Sequence, residues 1–85
     1  MKGEELIGNY KIGDKVVMTQ KSLDEYIYVY GEDDLSFYKD VVYGILTGQE
    51  SRYPEHIIVN WVNHKGIIVR SKWYSKLSEI KLYEG

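Results

Sequence analysis

His56-Ile57-Ile58-Val59-Asn60-Trp61-Val62-Asn63-His64-Lys65-Gly66-Ile67-Ile68-Val69-Arg70 decides how this 85-residue chain folds. Two runs rich in β-branched residues flank a polar break, Asn63-His64-Lys65, which Gly66 closes. The pattern predicts a β-hairpin, because glycine takes the positive φ that a short loop requires. Ile57, Val59 and Trp61 fall on one strand face, and Ile58, Asn60 and Val62 on the other. The first face is apolar throughout, so it is expected to line the core.

Beyond the hairpin, its second strand continues towards Trp73. Tyr74-Ser75-Lys76-Leu77-Ser78 reads as a tight turn before an alternating strand, Glu79-Ile80-Lys81-Leu82-Tyr83. On the N-terminal side, residues 48–55 form a loop holding the only proline, Pro54. Residues 41–47 read as a strand, with Gly44 marking a bulge, a bend or a close backbone approach. Residues 15–20 read as another strand, with Val16 and Met18 on one face, entered from the turn Lys11-Ile12-Gly13-Asp14.

Between those two strands lies an excursion, residues 21–40. Ser22-Leu23-Asp24-Glu25 resembles a capping box for one helical turn. Tyr26-Ile27-Tyr28-Val29-Tyr30 then alternates strictly, which predicts a strand with three tyrosines on one face and Ile27 and Val29 on the other. Gly31-Glu32-Asp33-Asp34 turns the chain, and Leu35-Ser36-Phe37-Tyr38-Lys39-Asp40 leads back. Residues 1–10 read as a flexible lead-in, in which Glu4-Glu5-Leu6-Ile7 could make one helical turn. The expected architecture is all-β: a small five-stranded barrel over residues 11–85, with a long acidic, tyrosine-rich loop or hairpin between its first two strands.

This order of parts resembles the SH3-like barrel superfamily. Ile12-Gly13-Asp14-Lys15-Val16-Val17 is similar to its opening strand, and Val42-Tyr43-Gly44-Ile45-Leu46 to its second. Ile57-Ile58-Val59-Asn60-Trp61 is similar to the third, and Leu77-Ser78-Glu79-Ile80-Lys81-Leu82 to its closing turn and fifth strand. KOW and Tudor-like modules, small phage-type proteins and enzyme accessory subunits share that outline. Phe37-Tyr38-Lys39-Asp40-Val41 and Arg52-Tyr53-Pro54 also resemble the accessory subunit of photosystem I. The resemblance implies a topology that hosts many functions. An ALYDY segment and tandem tryptophans are absent, so a proline-rich ligand is not expected.

Composition narrows the function classes. There are no cysteines and two histidines, so neither a disulfide nor a structural zinc site is expected. Nine Tyr, two Trp and one Phe must supply much of the core of so short a chain. No apolar run approaches the roughly 20 residues that span a bilayer, and no leader-like segment follows Met1. The chain therefore reads as a soluble, cytoplasmic protein without a membrane partner. Net charge is −2, divided as −4 over residues 1–48 and +2 over residues 49–85.

No nucleophile elbow, phosphate-binding glycine pattern or calcium loop occurs, and His56 and His64 lack companion ligands. The protein is expected to be no enzyme and to need no cofactor or metal. Two binding surfaces are expected instead. Tyr26, Tyr28, Tyr30, Glu32, Asp33 and Asp34 would form an acidic aromatic surface suited to a protein with a basic face. If Ile27 and Val29 face the core, those tyrosines must be exposed. The alternative is a nucleic-acid surface of Lys65, Arg70, Lys72, Trp73, Tyr74 and Lys76, with Arg70 and Lys72 on one strand face. A protein-interaction module, of the phage-type modulator or accessory-subunit kind, is the leading expectation.

Overall fold

The computed structural model describes residues 6–50, 52, 53 and 55–85. Its strands are β1 (Leu6–Ile7), β2 (Tyr10–Lys11), β3 (Lys15–Met18), β4 (Val41–Gln49), β5 (His56–Asn63), β6 (Ile68–Lys76) and β7 (Ile80–Leu82). One α-helix, α1 (Gln20–Tyr30), and a 3₁₀ segment, Glu32–Asp40, connect β3 to β4. Strands β1 and β2 pair with each other, and the other five form an antiparallel sheet in the order β6-β5-β4-β3-β7.

The 56–70 hairpin forms as its sequence predicts. Asn63 Oδ1 accepts the backbone N–H of Lys65 at 2.9 Å and of Ile67 at 3.0 Å, and Gly66 takes φ +78°. Ile57, Val59 and Trp61 are fully buried and lie at the centre of the core. Val16 and Met18 join them from β3, Leu46 from β4 and Ile80 from β7. Opposite Trp61 stands Gly44. A Cβ there would meet Trp61 Cε3 and Val59 Cγ1 at 2.5 Å, so the bare backbone is what admits the indole.

Three expectations are corrected. The chain is mostly β but not all-β, because residues 20–30 form a helix and not a strand or hairpin. Thr19, not Ser22, caps that helix: its Oγ1 accepts the Ser22 N–H at 3.2 Å. Leu23 and Tyr26, three apart, both pack on the core, and burial at that spacing outweighs the local alternation. The returning limb, expected as part of a loop or hairpin, is the 3₁₀ segment, which plugs Leu35 into the core.

The barrel is not closed either. Among the described residues β6 and β7 remain the two edges of the sheet. Strand β7 is only three residues long, and residues of α1 and the 3₁₀ segment pack on the core side of the sheet. Residues 6–10, expected as lead-in, form the β1–β2 hairpin with Lys11, and its Ile7 is buried in the core. Glu4 and Glu5 of the anticipated helical turn, and Ser51 and Pro54 of the loop, lie outside the described residues. The anticipated turn at 74–78 is shifted: β6 runs on to Lys76 and the turn is Leu77–Glu79.

Candidate interaction surface

Helical geometry rearranges the three tyrosines. At 100° per residue, Tyr26 and Tyr30 share a face and Tyr28 points away from both. Tyr26 is half-buried, with its ring centroid 4.6 Å from that of Tyr30. Tyr28 is 91% exposed. The following residues are also bare, Val29 at 63% and Tyr30 at 62%, and Ile27 is exposed at the helix surface. Four consecutive residues sweep most of a helical turn, so the C-terminal end of α1 offers apolar surface on several sides. Glu32, Asp33 and Asp34 follow directly, all exposed in the first turn of the 3₁₀ segment.

Beneath this end the aromatic rings form a continuous path into the core. Tyr26 lies 5.5 Å from Trp73, Trp73 5.4 Å from Phe37, Phe37 6.2 Å from Tyr38, and Tyr38 5.1 Å from Trp61. Each pair is tilted or edge-on, the arrangement that the ring quadrupole favours. The Arg70 guanidinium sits 5.1 Å from the Phe37 centroid and 5.4 Å from that of Trp73. A bulge makes this possible. Trp61 pairs with Arg70 and Val59 with Trp73, so Arg70 and Trp73 share the core-facing side although three residues apart.

The expected common face of Arg70 and Lys72 is therefore corrected. Lys72 lies at the bulge, opposite Asn60, whose Oδ1 accepts the Lys72 N–H at 3.0 Å. Its φ of +55° is the only positive value at a non-glycine among the described residues. Lys65 is exposed in the β5–β6 turn and Lys76 at the end of β6. Of the expected nucleic-acid residues, Arg70 is exposed but lies against the rings of Phe37 and the half-buried Trp73, and the three lysines are strung out along the hairpin.

Tyr26 and Tyr30 from one expected surface, and Trp73 and Tyr74 from the other, line a single groove of about 330 Å³ between α1 and β6. Tyr74 is 61% exposed at its edge. Val29, Glu25 and Glu79, none of them among the expected site residues, also line it. The available signal was the spacing Leu23-Tyr26-Ile27-Tyr30, which fits a helix as well as the alternation fits a strand. At the groove's base, Ser22 Oγ donates to the Glu79 carbonyl at 2.8 Å, and Glu79 Oε1 accepts from Ser75 Oγ at 2.9 Å and the Lys76 N–H at 2.8 Å.

Burial raises the Tyr26 phenol above its ordinary pKa, and the nearby Asp34 carboxylate raises it further, outweighing the opposing pull of Arg70. Elsewhere, His56 lies 5.5 Å from the Tyr53 ring and His64 is exposed in its turn. Among the described residues no group of His, Cys, Asp and Glu could hold a metal ion. Among the described residues no helix is long and apolar enough to cross a membrane.

No family model, curated protein or solved structure matches the chain.

Proposed function

We propose that this protein is a non-enzymatic interaction module that binds another protein through the exposed end of α1 and the acidic turn after it. The observation that carries this reading is the bare apolar run Ile27-Tyr28-Val29-Tyr30 beside Glu32, Asp33 and Asp34. A contiguous apolar patch rimmed by charge is the usual mark of a docking surface, because leaving it in water forgoes burial of roughly 25 cal/mol per Å². Residues 20–40 carry six acids against two lysines, a net −4, so the partner is a protein with a basic face. The same charge repels phosphate, which counts against nucleic acid at this end.

The strand order supports relating this open sheet to the SH3-like superfamily, with β3 as the first strand flanked by the second and the last. The helical insert is then the part a minimal barrel lacks. A modulator or accessory subunit of the phage type, working in the cytoplasm, accords with this arrangement.

Photo-crosslinking tests the reading. A photoreactive residue at position 28 is expected to trap a defined basic protein, with yield falling as salt rises. The same group at Tyr53, exposed in the β4–β5 loop, is the control. Equal trapping from both positions, or none from position 28, refutes the proposal.

A further inference from the structure

Resting on that reading, we propose that the groove between α1 and β6 receives one arginine side chain from the basic partner. Its walls are Tyr26, Val29 and Tyr30 from α1 and Trp73 and Tyr74 from β6. Tyr30, Tyr26 and Trp73, whose rings lie 4.6 and 5.5 Å apart in succession, line a space of about 330 Å³ with Tyr74 at its edge. That volume is at the lower limit for ligand pockets, about 300 Å³, and fits one long side chain better than a larger group.

The charges in the groove have one sign. Glu25 and Glu79 line it, and no lysine or arginine does. Glu79 Oε1 is committed to Ser75 and Lys76. The Glu25 side chain has no partner among the described residues. It stands beside an aromatic wall with an acceptor to offer. A cation entering here gains a charge-assisted hydrogen bond and the attraction of the ring quadrupoles together.

Guanidinium suits this pairing better than ammonium. It is planar and weakly hydrated, so it stacks on rings while its edge meets a carboxylate. The chain already sets cations on rings, Arg70 against Phe37 and Trp73 and Lys15 Nζ 4.6 Å from the Tyr43 centroid. Arg70 is a like charge near the groove, yet at Tyr26 the Asp34 carboxylate outweighs it.

The test is a nitrogen-15 NMR titration of the full chain with a capped peptide, Gly-Ser-Arg-Gly-Ser. Companion peptides replace arginine by citrulline, which is neutral and of the same shape, or by lysine. The arginine peptide is expected to shift the Trp73 indole N–H and the Tyr30 and Tyr74 resonances saturably. Citrulline should bind about tenfold more weakly, and Glu25→Gln should cost the arginine peptide about tenfold. Glu25 is exposed, and unchanged amide shifts outside the groove will verify that the variant is folded.

Equal binding of arginine and citrulline, or indifference to Glu25→Gln, overturns the proposal. A lysine peptide that binds as tightly overturns the choice of guanidinium. The two readings fail separately. Crosslinking from position 28 that survives Glu25→Gln leaves the interaction surface and removes the groove. Groove binding without that crosslink does the reverse.

Discussion

Tyr38 shows how much one side chain settles here. Strand β3 pairs with β4 only at Lys15 and Val16, so the Met18 N–H has lost that neighbour. Tyr38 Oη takes its place, accepting the Met18 N–H at 2.9 Å, while the ring meets Trp61 edge-on. Tyr38→Phe keeps the ring and strands the donor, so urea denaturation should show a loss of about 1–3 kcal/mol. Burial also raises the Tyr38 pKa above its ordinary 10.0, outweighing the hydrogen bond that lowers it. The folded state therefore holds this proton more tightly than the unfolded state. Its contribution is fully present below pH 10 and is lost as pH rises through the raised value. Wild-type stability should fall more steeply above pH 10 than that of Tyr38→Phe, and parallel curves would contradict the assignment. Single residues were read well where a backbone rule applied. Gly44 was legible as a close approach and Gly66 as a turn. The role of Asn60 was hidden, because an acceptor for a bulge on the neighbouring strand leaves no mark in its own strand's pattern.

At the scale of elements, the 56–70 hairpin was legible because both strand faces and the turn agreed. Helix α1 was not. Tyr26-Ile27-Tyr28-Val29-Tyr30 alternates, and β-branched and aromatic residues favour strands locally. A strand at this place needs a partner, whereas a helix places Leu23 and Tyr26 on the core and satisfies its own backbone. Tertiary burial decides between the two. The cap follows the same logic. Ser22 heads the apparent box, yet its hydroxyl is spent on the Glu79 carbonyl and Thr19 does the capping. Thr19→Ala should destabilise the protein by about 1 kcal/mol, read as a lower urea midpoint with unchanged slope. No change in midpoint would mean that the cap is dispensable.

Across the whole molecule, the helix brings two surfaces that look separate in sequence to one edge of the sheet. Tyr26 and Tyr30 belong to the acidic half of the chain and Trp73 and Tyr74 to the basic half. Trp73 is half-buried and the exposed Arg70 lies against it, while Lys65, Lys72 and Lys76 stay along the hairpin. Which end of the molecule binds is therefore a question two variants answer. Tagged wild type, Tyr28→Ser/Val29→Ser and Lys65→Ala/Lys72→Ala/Lys76→Ala are compared in quantitative affinity capture from cells that make the protein, with and without nuclease. The helix variant should lose the partner, and the lysine variant should keep it in both conditions. Retention by the helix variant, with nuclease-sensitive loss in the lysine variant, would contradict the account and move the binding surface to the hairpin.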